Sequence, residues 1–183
     1  MKRFIYETRI KPHKIVLQYF GNDIEFVAAE YYGKPSLFEI PKNINKYFMF
    51  VISVSYFFNY LYWSFPHKEF LIPYLISICN AYKNKDIFER HKKQLKLFVD
   101  YAKENSIQFI VVIFPFLGDL EMSDVVYGNN VANYFKANNV SIINVSQLVK
   151  NVPLEERMVS KRDIHASIKV NKIVAEEILK KLK

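Results

Sequence analysis

An aspartate and a histidine lie two residues apart near the end of the chain, within residues 160–165, Ser-Lys-Arg-Asp-Ile-His. In an extended segment, side chains at alternate positions share a side, so Asp163 would face His165. A carboxylate placed there holds the imidazole in one tautomer and stabilises its protonated form, which suits His165 to act as a general base. The alternative interpretation is a helix-capping loop that carries a solvated histidine.

A second polar group, Gly21-Asn22-Asp23, follows an apolar run at residues 15–20. In open α/β sheets, ligands bind just beyond the carboxyl ends of the strands. The side-chain amide of Asn22 would there donate to a developing negative charge, and such a donor contributes roughly 3–4 kcal/mol in acyl transfer. The alternative is an ordinary strand-ending turn, for which these residue types are typical.

The other histidines, the glycines and the single cysteine form no pattern typical of a cofactor or metal site, so neither is predicted. His13, His67 and His91 lie far apart, and none has a Cys or His at ligand spacing. The four glycines form no phosphate-binding loop. Cys79 is predicted to be a small core residue, and as the one cysteine it excludes an internal disulfide.

Hydrophobic patterning predicts the elements that position these groups. Short apolar runs at 15–20, 107–114 and 140–145 are typical of buried parallel strands. Apolar spacing predicts amphipathic helices over 86–104, 123–137 and 167–182. Alternation of the two predicts an α/β domain with a parallel sheet.

The segment from Tyr47 to Phe65 carries no charged residue and is close to the length of a membrane span. Serines, an asparagine and many aromatic residues interrupt it, and the uncharged run at 70–82 contains Pro73. A buried or interfacial helical insertion is therefore favoured over a true span. Association with a membrane through 47–82 stays open as an alternative, because Tyr and Trp favour interfaces.

Composition is that of one folded domain with a basic surface. The chain has 183 residues, 51% hydrophobic content and a net charge of +8. The lysines are scattered and no helix carries an arginine stripe, so nucleic acid is not the expected partner. Residues 1–8 contain basic groups but no apolar signal core, and the sequence leaves the compartment unknown.

In the order of these features, the chain resembles the SGNH (GDSL-like) hydrolase superfamily. Residues 17–23 look like the block in which a strand ends at an oxyanion-hole asparagine, here Asn22 beside Gly21. Residues 162–167 look like the last block, with its Asp and His before the final helix, here Asp163 and His165. The two-residue spacing of Asp163 and His165 is most similar to that in a branch of the superfamily that includes membrane-linked acyl esterases and alginate acetylation proteins.

The resemblance implies a three-layer α/β/α domain over residues 1–183, with an aromatic-rich helical insertion at roughly 33–85. It implies a serine ester hydrolase or O-acyltransferase without metal or nucleotide, acting on an acylated carbohydrate or a small ester. It also makes the cell envelope or periplasm the expected location of the full-length form.

The departures from the family are large. The Gly-Asp-Ser block that supplies the nucleophile has no counterpart in this chain, and neither has the block with the second oxyanion donor. The expectation is a domain incomplete at its N-terminus and inactive as this fragment, with an exposed sheet edge that pairs with a chain supplying the missing strand. The alternative is a non-catalytic protein of the same fold that binds a glycan, a lipid or a partner chain.

Overall fold

A computed structural model describes residues 12–38, 46–63, 68–160 and 163–183, and it contains a parallel sheet. The sheet has three strands in the order β1 (Lys14–Phe20), β2 (Gln108–Phe114) and β3 (Ser141–Asn144). Both strand pairs are parallel, with Val16 opposite Ile110 and Ile110 opposite Ser141. The three predicted strands and the mixed α/β class with a parallel sheet are therefore confirmed.

Helices connect the strands and follow the last one. They are α1 (Glu25–Tyr31), α2 (Lys46–Val54), α3 (Tyr56–Trp63), α4 (Lys68–Lys83), α5 (Lys85–Glu104), α6 (Leu120–Ser123), α7 (Asn129–Ala137), α8 (Val145–Val149), α9 (Leu154–Arg157) and α10 (Ile168–Leu182). The predicted helices at 86–104 and 167–182 correspond to α5 and α10. Side chains cap both: Asn84 accepts from two N–H groups at the start of α5, and Ser167 accepts from Val170 N–H at the start of α10.

The predicted helix at 123–137 is helical but not uniform. A π turn, Asp124–Gly128, separates α6 from α7. This turn places Tyr127 fully inside the core, where its hydroxyl donates to the carbonyl oxygen of Phe114 at 2.6 Å. The widened π turn allows the large ring of Tyr127 to be buried with its hydroxyl hydrogen-bonded. Hydrophobic spacing alone does not predict such a turn.

β2 is the centre of the molecule, because it is buried on both faces. Phe109, Val111 and Ile113 belong to one hydrophobic cluster, which includes residues of α1, α4, α5 and α7. Ile110, Val112 and Phe114 belong to a second cluster, which includes residues of α8 and α10. Alternation along one strand thus supplies both cores, as expected for a parallel strand covered by helices on both sides.

β1 is more exposed than β2. Within the described residues it pairs on one side only, with β2. Its apolar contribution falls mainly on one face, through Ile15, Leu17 and the fully buried Tyr19. On the opposite face Val16 is 40% exposed. Within the described residues the sheet therefore presents an edge at β1, and Val16 near its middle is apolar and accessible.

The segment from Tyr47 to Phe65 contains α2 and α3, which are separated at Ser55. The prediction of a helical segment is confirmed for 46–63. None of the helices in the described ranges has the length and hydropathy needed to cross a bilayer. The predicted insertion at 33–85 also includes α4, whose Ile78 and Ala81 are fully buried in the core, while Cys79 between them is only partly buried.

Candidate functional site

The carboxyl end of β1 turns directly into a single 3-10 turn, Gly21–Ile24, which presents Asn22 at the surface. Asp23 closes this turn, because its Oδ2 accepts from the backbone N–H of Phe20 at 2.8 Å. Desolvation of the carboxyl group raises the pKa of Asp23, although the residue as a whole is exposed, and the hydrogen bond from Phe20 acts in the opposite direction. Asn22 therefore lies where the sequence predicted it, just beyond a strand end.

Gly21 is fixed at this position by close packing. A Cβ on Gly21 would lie 2.9 Å from Phe116 Cζ and 2.9 Å from Tyr127 Cε1. The structure thus gives a packing reason for glycine before Asn22, and the role of Gly21 in an oxyanion hole stays a prediction.

Beside Asn22 lies an open groove of about 330 Å³, lined by Asp23, Glu25, Phe26, Ala29, Pro35 and Ser36 as well as Asn22. Glu25 is held from two sides. Tyr74 donates to its Oε2 at 2.6 Å and Ser36 to its Oε1 at 2.8 Å. Desolvation acts to raise the pKa of Glu25, but these hydrogen bonds together hold it below its usual value.

Asn22 lines the same groove as Glu25 and Ser36, and it acts to lower the pKa of Tyr74 against the larger raising effects of burial and of Glu25. This group of Asn22, Glu25, Ser36 and Tyr74 is absent from the sequence-based predictions. Its members are separated by up to about fifty positions, and no spacing rule connects them. A folded structure was needed to bring them together.

Asp163 and His165 meet as predicted. His165 Nδ1 donates to Asp163 Oδ1 at 2.6 Å, and the His165 backbone N–H donates to the same oxygen at 3.0 Å. The backbone hydrogen bond, followed by the imidazole, lowers the pKa of Asp163 below its usual range. The His165 side chain is 88% exposed. An imidazole whose Nδ1 is held by a carboxylate while its other edge faces solvent is arranged to accept a proton at Nε2.

A short hairpin positions this pair. Met158 and Ala166 form an isolated antiparallel bridge, and Val159 N–H donates to the His165 carbonyl at 3.0 Å. Ser160 Oγ accepts from the Asp163 N–H at 3.0 Å. The backbone bends at His165, whose N–H donates to the Asp163 side chain two residues back, so a local turn brings the two side chains together where the spacing predicted an extended segment.

The hairpin and the end of β1 pack on the same hydrophobic cluster. Phe20, directly before Gly21, and Ala166, directly after His165, both pack against the cluster that holds Phe114, Val145 and Val170. In the described part of the chain no hydrogen bond joins Asn22 to Asp163 or His165. The segments that carry Asn22 and His165 therefore share one hydrophobic cluster through Phe20 and Ala166.

A polar cluster lies inside the core behind the strand end. The hydroxyls of Tyr19 and Tyr82 share a hydrogen bond at 2.5 Å, and the Tyr19 hydroxyl lies 2.8 Å from His91 Nε2. His91 is 3% exposed, and burial lowers its pKa to about 4. The sequence placed His91 near the apolar face of α5 but did not indicate its tyrosine partners.

No group of three or more His, Cys, Asp or Glu side chains is placed to hold a metal ion within the described ranges. Comparison with family models, with curated proteins and with solved structures finds no match to this chain. The function is therefore inferred from the residues and their geometry.

Proposed function

We propose that this chain carries the acid–base half of an SGNH-type ester hydrolase or O-acyltransferase. The observation that carries the proposal is the 2.6 Å hydrogen bond from His165 Nδ1 to Asp163 Oδ1, with the rest of the imidazole exposed. This arrangement is that of a general base and its orienting carboxylate. Asn22 at the end of β1 supports it as the donor to an oxyanion.

The proposed reaction is acyl transfer through the serine of a Gly-Asp-Ser block, which this chain does not contain. The serine hydroxyl would attack the ester carbonyl and lose its proton to His165 Nε2. Asn22 would donate to the oxygen that becomes negative. His165 would then protonate the departing alcohol as the ester C–O bond breaks, and water, or an acceptor hydroxyl, would later release the acyl group.

The three-layer SGNH arrangement is part of the same proposal. The parallel order β1, β2, β3 and the helices on both faces of β2 are compatible with it. The apolar edge of β1 gives a place for a further strand, supplied by another chain or by residues outside this sequence, to bring the nucleophile near Asn22. The groove lined by Glu25 and Phe26 is the proposed site for the carbohydrate or small-ester part of the substrate.

A direct test uses the chain as it is, with p-nitrophenyl acetate as an activated ester. Without the nucleophilic serine, His165 should still act as a general base on water, and a positioned general base contributes roughly 10²–10⁴-fold. His165→Gln should reduce the rate to that of the background. Asp163→Asn should reduce it as well, because the imidazole loses the carboxylate that fixes its tautomer.

The matched control is His13→Gln, because His13 is also exposed and the structure places no carboxylate partner on it within the described residues. If His13→Gln and His165→Gln change the rate equally, the pair has no special reactivity and the proposal is wrong. The same variants should then be tested after a segment with a Gly-Asp-Ser block is joined upstream. In that protein His165→Ala should abolish ester hydrolysis.

The non-catalytic alternative has one observation in its favour, the groove beside Asn22. Its hydrogen-bonded carboxylate, Glu25, and its exposed aromatic ring, Phe26, are groups that bind sugar hydroxyls and sugar faces. Glycan binding that is lost in Glu25→Gln and unaffected by His165→Gln, without ester hydrolysis in the extended protein, would favour this alternative.

A further inference from the structure

The groove beside Asn22 has an acidic lining, although the chain as a whole carries a net charge of +8. Two of its lining side chains, Asp23 and Glu25, are carboxylic acids, and no lysine, arginine or histidine of the described residues lines it. Lys34 directly precedes Pro35 in the sequence but is not a lining residue. A cleft lined by charges of one sign attracts ligands of the opposite sign. The lining therefore disfavours an anionic ligand, such as a uronic acid or a phosphate, and favours a cationic one.

The two carboxylates offer a ligand different things. Each oxygen of Glu25 already accepts from a hydroxyl, Oε1 from Ser36 at 2.8 Å and Oε2 from Tyr74 at 2.6 Å. Glu25 therefore contributes mainly a fixed negative charge. Asp23 accepts from the Phe20 N–H through Oδ2, and its Oδ1 has no hydrogen-bond partner among the described residues. Asp23 Oδ1 is thus an acceptor that a ligand in the groove is able to use.

An exposed aromatic ring lies beside this acceptor. Phe26 lines the same groove and is 74% exposed. It follows Asp23 by three positions, where the 3-10 turn runs into α1, and positions three apart on a helical backbone are neighbours. The face of an aromatic ring attracts a cation, and a nearby carboxylate adds an ion pair to that attraction. A ring and a carboxylate at one site are therefore suited to an ammonium group.

The size and the remaining polar groups of the groove limit the ligand further. Its volume of about 330 Å³ lies at the small end of the range of ligand sites, about 300–1,000 Å³. Asn22, which is exposed at the mouth of the groove, has an amide that both donates and accepts hydrogen bonds. A ligand about as large as a monosaccharide, with a polar group for this amide, matches these features.

We propose that the groove binds a small polar ligand through an ammonium group, which donates to Asp23 Oδ1 and lies against the ring of Phe26. Glu25 stabilises the cation through its charge, and Asn22 meets a polar group of the ligand. The inference deepens the proposed function and rests on it for the groove being the substrate's site. The ester substrate is then an O-acylated amino sugar with a free amine, or a small cationic ester, and not an acylated uronic acid.

The test is an NMR titration of the whole chain with glucosamine, glucose and glucuronate, at low salt and at a pH where the amine of glucosamine is protonated. The three sugars share a ring and differ in charge. Glucosamine should bind about fivefold or more tightly than glucose, and glucuronate should bind more weakly than either. High salt should reduce the preference for glucosamine. Choline distinguishes the two sources, because tighter binding of choline than of glucosamine would assign the ammonium site to a small cationic ester.

Two variants test the contacts of the ammonium group. Asp23→Asn should weaken glucosamine binding about fivefold, to the level of glucose, while its amide oxygen still accepts from the Phe20 N–H and keeps the turn. Phe26→Leu should weaken it about two- to fivefold, because leucine is apolar but has no π face. The matched control is Glu30→Gln, which removes an exposed carboxylate of α1 outside the groove and should bind as the original chain does.

Equal affinity for the three sugars, or equal effects of Asp23→Asn and Glu30→Gln, would overturn the proposal. Circular dichroism should show that the variants are folded. If ester hydrolysis depends on His165 but glucosamine is not preferred, this inference is wrong and the proposed function stands. If Asp23→Asn abolishes the preference for glucosamine but the extended protein hydrolyses no ester, the ammonium site stands and the hydrolase function is wrong.

Discussion

Acidification should destabilise this protein through His91, the buried imidazole of α5. Its Nε2 lies 2.8 Å from the Tyr19 hydroxyl, and its Nδ1 is buried without a hydrogen-bond partner in the described structure. Burial lowers its pKa from the ordinary 6.5 to about 4. The native state therefore takes up this proton only near pH 4, whereas the unfolded chain takes it up near pH 6.5.

The direction of the effect follows from that difference. The contribution of neutral His91 is fully present above pH 6.5, declines as the pH falls, and is lost through pH 4. A difference of 2.5 pKa units corresponds to about 3 kcal/mol in the free energy of unfolding, at about 1.4 kcal/mol per unit. The expected loss is about 1.4 kcal/mol at pH 5.5 and about 2.6 kcal/mol at pH 4.5.

Other titratable groups also affect the pH dependence of stability, so the contribution of His91 has to be measured against a variant. Tyr19, Tyr82 and Tyr127 face the same cluster and have pKa values raised by burial, so all three stay neutral in this range. Asp23, with a raised pKa, opposes the trend, and Asp163, with a lowered one, adds to it. The informative quantity is therefore the difference between the original chain and His91→Gln, because Gln keeps a donor near the Tyr19 hydroxyl but does not titrate.

The assay is urea unfolding followed by circular dichroism at pH 7.5, 6.5, 5.5 and 4.5, where the chosen values bracket the expected transition. The original chain should lose about 2–3 kcal/mol more than His91→Gln between pH 7.5 and 4.5. His13→Gln, at an exposed histidine, should follow the original chain. If the original chain and His91→Gln lose stability in parallel, His91 is not a buried neutral base and the reasoning is refuted.

Two further predictions concern the packing behind Asn22. Gly21→Ala should lower the free energy of unfolding by about 1–3 kcal/mol, because the added methyl group would meet the rings of Phe116 and Tyr127 at 2.9 Å. In the same urea unfolding experiment Gly118→Ala should be close to neutral, since nothing lies within 4 Å of its Cβ position, and equal losses would contradict the packing argument. Tyr127→Phe should cost about 1–2 kcal/mol, because the Phe114 carbonyl loses the hydroxyl that donates to it at 2.6 Å. An unchanged midpoint in thermal unfolding would show that the hydroxyl contributes nothing.

Much of the sheet was predictable because the strand signal is local. The run at 107–114 is apolar on both faces, as a strand covered by helices on both sides needs to be. The runs at 15–20 and 140–145 are mostly apolar as well, although β1 and β3 keep exposed positions such as Val16 and Ser141. The amphipathic helices α5 and α10 were predictable for the same reason, since a stripe of apolar residues at helical spacing must be buried. The π turn at 124–128 was not, because it depends on where Tyr127 must reach the Phe114 carbonyl.

The candidate site divides in the same way. The Asp163–His165 contact is local, because a turn in which Asp163 Oδ1 also accepts from the His165 N–H is enough to form it. The surroundings of Asn22 are not local, because Glu25, Ser36 and Tyr74 meet there only after α1 and α4 pack together. The exposure of the aromatic side chains of α2 and α3, such as Phe50 and Phe57, was also undecided by sequence, since an uncharged helical segment is equally compatible with burial in a core.

The sequence by itself determined the parallel α/β class, the position of Asn22 at a strand end and the pairing of Asp163 with His165, because each depends on short-range periodicity or spacing. The tertiary structure alone decided that His91 is buried against Tyr19, that Gly21 admits no side chain and that most of the described aromatic rings of α2 and α3 are exposed. The physical reason is that burial and hydrogen-bond partnership between distant residues are properties of the packed chain, which no local pattern of residue types encodes.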